Sequence, residues 1–312
     1  MIKKIYFLIF ITLLSVGIYL FSFMGEFSDY ALKNRSLQVI SIIIVGICIA
    51  VSSIIFQTIS NNKILTPSII GLDSLYMLLQ SCLIFILGST NLIVYKENIN
   101  FLISLFCMII FSLLLYKLLF KNERNIYLIM LLGIIFGTFF STLGTFFEVL
   151  IDPDEFMIIQ GRMFASFDNI AIDVLFLASI ITLISIIFVI KYLKFLDPLI
   201  LGKDLSINLG INYHRTIKHL MIIIAILTSI STALVGPITF LGLLVCNITY
   251  ELFKTSKHKF LLLACSLIAI IFLVIGIFFV SRVFEYNTTI SVIINFIGGI
   301  YFLYLVFKGN KL

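Results

Sequence analysis

Residues 38–57 read QVISIIIVGICIAVSSIIFQ, a run without a charged side chain, built of isoleucine, valine and small residues between two glutamines. At 1.5 Å of rise per residue such a run makes a helix about 30 Å long, which is the thickness of a bilayer's hydrocarbon core. Working outward, similar runs bounded by polar residues recur along the whole chain. Together they give ten candidate spans at roughly 5–24, 38–57, 69–90, 99–119, 126–149, 171–192, 217–235, 238–253, 259–280 and 289–307. In hydrocarbon every backbone polar group needs an internal partner, which leaves helices or closed barrels. A barrel needs alternation within segments of about ten residues, and these runs are continuous. The expectation is an all-α membrane protein of about ten transmembrane helices, one domain over residues 1–312. The run at 238–253 is short for a crossing and follows Gly236-Pro237, so a tilted or broken helix is expected there.

Composition excludes the soluble classes. Of 312 residues 62% are hydrophobic and 12% charged, with a mean hydropathy of +1.22, against about 45–50% apolar and roughly 25% charged in soluble domains. The net charge of +6 does not mark a nucleic-acid binder, because the basic residues sit at the ends of apolar runs rather than in one patch. The five cysteines lie inside apolar runs without C-x-x-C spacing and read as small packing residues. His214, His219 and His258 read as solvated loop residues. The N-terminal run after Lys3 and Lys4 is too long for a signal-peptide core and lacks a small-x-small site. It reads as an uncleaved first span.

Charge placement sets the topology. Sixteen basic residues fall on one side: Lys3, Lys4, Lys63, Lys117, Lys121, Arg124, Lys191, Lys194, Lys203, Arg215, Lys218, Lys254, Lys257, Lys259, Lys308 and Lys311. The other side holds five, Lys33, Arg35, Lys96, Arg162 and Arg282. The positive-inside rule makes the first side, with both termini, cytoplasmic. Two loops are then large. The outer one, at about 149–171, is acidic, with Asp152, Asp154, Glu155 and Asp168 against Arg162. The inner one, at about 195–216, contains LGKDLSINLGI, in which Leu205 and Leu209 share one face of a short helix ended by Gly210. That face suits a gripping partner, and the same segment reads equally as a plain linker.

Little in the sequence carries chemistry. No G-x-x-x-x-G-K-[ST] phosphate loop occurs, no metal-ligand spacing, and no catalytic constellation, so no cofactor, no metal and no catalytic residue is expected. Asp73 and Glu148 are read as lying near span ends, within reach of water. Without a mid-span charge, an ion-coupled secondary transporter is the weaker alternative. The fifth span places Gly133, Gly137, Ser141 and Thr145 four residues apart with Gly144 beside them. Such a face serves close helix packing or the wall of a wetted path.

Several stretches together, in order along nearly the whole chain, resemble the permease family that imports vitamin B12, haem and iron–siderophore complexes in bacteria. They are residues 35–76 with Gly46, Phe56, Gln57, Asn62, Leu65, Pro67 and Gly71, the segment LGKDLSINLGI, the motif GPITFLGL at 236–243, and Arg282 with IGGIYFLYL at 297–305. Two features depart from the family: Cys246-Asn247 stands for its usual Pro-His, and one arginine, Arg35, survives of its Arg-x-Pro-Arg. The wording of 56–76 and of QGRMFASFDN is most similar to the ferric siderophore sub-group.

The resemblance implies a vitamin B12 importer-type permease bundle in the bacterial plasma membrane, serving an ATP-binding-cassette importer of a ferric siderophore; haem or a cobalamin-like chelate is the alternative cargo. It implies as partners two cytoplasmic ATPase subunits, an extracytoplasmic substrate-binding protein, and a second permease chain, identical or different. ATP hydrolysis then belongs to the ATPase chains. By the same resemblance Gly202, Lys203, Asp204, Leu205, Ser206, Leu209 and Gly210 couple to the ATPase, and Arg35 and Arg282 dock the binding protein. The fifth and tenth spans line the path, at Gly133, Gly137, Ser141, Gly144, Gly298 and Gly299. On residue type alone, lipid-facing anchoring is the better reading of Arg35 and Arg282, and the resemblance is what favours docking.

Overall fold

A computed structural model describes residues 1–22, 29–120, 126–168 and 170–309 of the chain. Of the sixteen basic residues assigned to one side, Lys121, Arg124 and Lys311 lie outside the described residues. The fold is all-α, with no strand among the described residues. In chain order the helices are α1 (Ile2–Phe21), α2 (Asp29–Ser60), α3 (Asp73–Leu87), α4 (Leu92–Tyr95), α5 (Glu97–Phe120), α6 (Ile126–Leu150) and α7 (Pro153–Met163). They continue as α8 (Ile172–Leu199), α9 (Lys203–Asn208), α10 (Tyr213–Val235), α11 (Leu241–Leu252), α12 (His258–Arg282) and α13 (Ile290–Gly309).

Among the described residues eight helical stretches are long and apolar enough to cross a membrane, and two of the ten expected spans, α11 and α13, contribute shorter apolar stretches. For α11 the reason is local. Gly236 ends α10 at φ +101°, a conformation open to glycine, and residues 236–240 are non-helical before α11 begins. Twelve residues then span only about 18 Å. The Cys246-Asn247 departure leaves α11 a regular helix. Asn247 Nδ2 donates to the carbonyls of Leu243 (2.9 Å) and Lys63 (3.1 Å), which fastens α11 to the turn after α2.

The centre of the bundle is α2, whose apolar window is 78% buried, against 17% for α1 and for α6. It packs against α8, α10, α11 and α12, while α3 packs on α6 and α5 on α10. Ile42, Ile54 and Ile55 of α2 are fully enclosed with Leu220 of α10. The hydroxyls of α2 return their protons to its own backbone, as with Ser41 to Leu37 and Thr58 to Ile54. They therefore cost little in an apolar interior.

The third span carries a break: a π-helical turn, Ser68–Leu72, precedes α3, with Gly71 at φ +98°. Three expectations are corrected, those for Asp73, His258 and His219. Asp73 is not near water. It stands at the junction of that turn with α3 and is only 7% exposed. His258 is not a solvated loop residue either. It opens α12 at 1% exposure, with Nδ1 2.6 Å from Asp197 Oδ1 and Nε2 2.8 Å from Thr58 Oγ1. His219 lies within α10, its ring 5.7 Å from that of Tyr192 on α8, and His214 lies in the exposed first turn of α10. Glu148, half-buried, accepts from Ser81 Oγ of α3 at 3.0 Å.

Candidate functional site

Three regions hold the residues singled out above. They lie at the α9 end of the bundle, at its α7 end, and along the face where α6 and α13 meet the rest of the chain.

At the first, α9 is bracketed by Gly202 and Gly210, both at positive φ, which lets the chain reverse sharply on either side of a six-residue helix. Ser206 is fully buried, and its hydroxyl donates to the carbonyls of Gly202 (2.6 Å) and Pro198 (3.0 Å), pinning α9 to the end of α8. Leu205 and Leu209 point the other way, 53% and 60% exposed, with Leu201 and Ile207 exposed beside them. Burying one such side chain is worth about 1.5–3 kcal/mol, so the tip is an unfilled apolar grip on a firm base. Lys203 and Asp204 flank it in the first turn of α9. Asp197 reinforces the base by accepting from both the backbone N–H and Nδ1 of His258, joining the root of the segment to α12.

At the opposite end, the structure brings Arg35 and Arg282 to one patch. Arg35, half-buried, donates through one guanidinium nitrogen to the carbonyls of Leu20 (3.0 Å) and Ser22 (2.9 Å), closing the C-terminus of α1. A cation there complements the helix dipole. Arg282 ends α12 in the open. Between them stands Tyr286 in the loop before α13. Burial, and then the Asp168 carboxylate, raise its phenol above the ordinary value, against the opposing pull of Arg282 and Arg35. Asp168 also accepts from Gln38 Nε2 at 2.7 Å. In the sequence Asp168 reads only as one acid of the outer loop, and Tyr286 carries no signal, because both reach this patch through tertiary packing.

Arg162 turns inward from α7. It donates to Gln80 Oε1 and to the carbonyl of Val94 (3.1 Å). Arginine has no acceptor, so this bond fixes the Gln80 amide. Gln80 Nε2 in turn donates to Asn100 Oδ1 (3.1 Å) and Ser104 Oγ (2.8 Å), tying α7, α3 and α5 together.

The small-residue face of α6 packs inward against the third span. A Cβ at Gly133 would sit 2.9 Å from Ile70 Cγ2, one at Gly137 3.2 Å from Gly71 Cα, and one at Gly144 3.6 Å from Leu78 Cα. Ser141 is exposed, as are Thr138, Thr142 and Thr145. On α13, Gly298 is covered by Phe240, whose Cβ lies 2.4 Å from where a Gly298 Cβ would stand, and Gly299 faces open space. The α6 and α13 faces turned away from the bundle carry Ile134, Phe139, Phe296, Ile300 and Leu303, all exposed.

The model of the FecCD transport family matches residues 5–308 of the chain. The petrobactin import system permease protein YclO of Bacillus subtilis is 52% identical over 309 residues, covering 99% of this chain and 98% of that protein. The petrobactin import system permease protein FatC of Bacillus anthracis is 35% identical over 283 residues, covering 90% of this chain and 79% of its own length. Among solved structures, an inward-facing metal-chelate type ABC transporter superposes with a TM-score of 0.81 at 20% identity, covering 98% of this chain and 99% of that one. That likeness concerns the fold.

Proposed function

The chain belongs to the FecCD transport family as the permease subunit of an ABC importer that carries a ferric siderophore across the inner membrane, and on that premise we propose petrobactin as the cargo. The observation that carries this is the 52% identity to YclO, which runs along both chains almost from end to end. ATPase activity in this family resides on a separate chain. Family members pair with ATPase subunits and substrate-binding proteins.

The finer assignments follow from the three regions. The α9 tip is the ATPase grip, with Leu205 and Leu209 as its apolar anchors between Gly202 and Gly210. The exposed Leu205 and Leu209 and the pinned Ser206 support it. The α7 end is extracytoplasmic, and there Arg35 and Arg282 receive carboxylates of the binding protein. Arginine's fork suits a wet, reversible contact of this kind, and Arg282 is exposed. Both termini are cytoplasmic, a reading that the charge segregation supports. The exposed faces of α6 and α13, with Ser141 and Gly299, line a path shared with a second permease chain, while Gly133, Gly137, Gly144 and Gly298 set how closely those helices approach their supports. The path contributes shape and weak contacts rather than chemistry.

The test is uptake by a deletion strain supplied with labelled iron as petrobactin, a hydroxamate siderophore, haem, or ferric citrate. Loss confined to petrobactin and its restoration by the gene establish the cargo. Unchanged petrobactin uptake together with loss of another chelate refutes it.

A further inference from the structure

Asp73 is the buried ionisable group that none of these roles uses. It stands inside the third span, where an ionisable side chain is costly and marks function. Its neighbours are hydroxyls: Thr239 Oγ1 donates to Oδ2 at 3.1 Å, Thr232 Oγ1 to Oδ1 at 3.4 Å, and Ser68 also bonds it. Hydroxyl bonds to a carboxylate are ordinarily about 2.5–2.7 Å, so these have slack. The adjoining void of about 10 Å³ is room for roughly one water.

What Asp73 joins is more telling than what surrounds it. Two residues before it, Gly71 lies against α6, where a Cβ would meet Gly137 Cα at 2.4 Å. One residue after Thr239, Phe240 covers Gly298 of α13, lies with its ring tilted against that of Phe302 at 6.2 Å, and donates its N–H to Asn295 Oδ1 at 3.4 Å. The π-helical turn and the non-helical stretch 236–240 are both breaks in regular structure, places where backbone adjusts most readily. A continuous line of contacts therefore runs from α6 through Gly71, Asp73, Thr239 and Phe240 to α13, with two polar links, Asp73 to Thr239 and Phe240 N–H to Asn295, of which only the first involves an ionisable group.

We infer that Asp73 is a positioning residue for transport: by holding Thr239 it makes α6 and α13 shift as one during the transport cycle. The inference rests on the reading of α6 and α13 as the walls of the path. Replacing the carboxylate with an amide removes the charge that strengthens the Thr239 bond, and replacing Thr239 with valine removes the bond; both changes nearly conserve side-chain size and leave both helices in place.

The experiment uses the assembled transporter with native cysteines replaced and single cysteines at Thr138 of α6 or Phe296 of α13. Uptake per ATP hydrolysed is measured beside the thiol-labelling rate in nucleotide-free and ATP-bound states. With Asp73 intact, both positions change reactivity together. In Asp73→Asn and Thr239→Val, ATP hydrolysis persists, uptake per ATP falls about tenfold, as expected for loss of a hydrogen bond to a charged group, and only one of the two positions responds to ATP. Thr239→Ser, which keeps the hydroxyl, restores both readouts. Wild-type coupling with linked labelling in both variants overturns the inference. So does failure of Asp73→Asn to assemble while Thr239→Val couples normally, which reduces Asp73 to a folding role. A loaded chelate that protects neither cysteine refutes the path reading instead, and the linkage readout remains valid.

Discussion

The glycine-on-glycine contact between the third span and α6 gives the sharpest expectation. Gly71→Ala places a methyl 2.4 Å from Gly137 Cα and 2.8 Å from Gly137 N, inside any tolerated separation, and it does so at φ +98°. The backbone conformation costs an L-residue about 1–2 kcal/mol, and overpacking against backbone adds about 1–3 kcal/mol. The total is roughly 2–5 kcal/mol. For a chain of 312 residues an unfolding entropy scaled by length turns this into about 3–8 °C of lost thermal stability. Gly137→Ala puts its methyl 3.2 Å from Gly71 Cα and costs less, because a small helix shift relieves it. Gly161→Ala in α7 meets nothing within 4 Å and is neutral or gains about 0.5–1 kcal/mol from helix propensity. The assay is the temperature at which half of the detergent-purified protein remains monodisperse, read beside uptake. The reasoning fails if Gly71→Ala melts with Gly161→Ala, since neither the positive φ nor the glycine-on-glycine contact would then exist as described.

Other outcomes follow from the three regions. Leu205→Asp, at a 53% exposed position outside the bundle, leaves the membrane fold intact and uncouples ATP hydrolysis from uptake or weakens ATPase binding; normal transport by a well-expressed variant removes the grip. Arg35→Glu with Arg282→Glu slows capture of loaded binding protein, most at low salt, and an acid-to-arginine change on the binding protein partly restores it; an unchanged capture rate and salt dependence leave the arginines as anchors. Because Arg35 also closes α1, the single Arg282→Glu variant separates docking from stability. Single cysteines at Asp154 and Asn208, both exposed, label from opposite sides of intact cells, and external labelling of Asn208 by an impermeant reagent inverts the topology.

Much of the architecture was legible in hydropathy, because lipid imposes one requirement on every span. The ten runs, the short helix after Gly236-Pro237 and the LGKDLSINLGI segment all fall where the apolar periodicity put them. What was missed depends on partners distant in sequence. Asp73 looked like a span-end acid because an apolar window cannot register the π-helical turn that sets it among Ser68, Thr232 and Thr239. His258 looked solvated because it follows Lys254, Thr255, Ser256 and Lys257, yet Asp197 and Thr58, each about sixty or more residues away, enclose it. The glycines of α6 showed a close approach without showing to what. The structure supplies the third span as the partner.

The central position of α2 has a consequence for how the protein is made. Its neighbours α8, α10, α11 and α12 all leave the ribosome after it does. At a synthesis rate of about 5–20 residues per second, α2 waits roughly 10–45 s for Arg282 at the end of α12 to appear. During that interval Gln57 has no Lys63 turn braced by Asn247, Thr58 has no His258, and Cys48 has no Thr182. The hydroxyls stay bonded to the helix's own backbone, but the face that later packs inside the bundle lacks its partners, and a temporary host such as an insertase or a membrane chaperone is expected to cover it. Truncated nascent chains ending before α12 are therefore expected to cross-link to such a host through α2, and to be degraded when it is depleted.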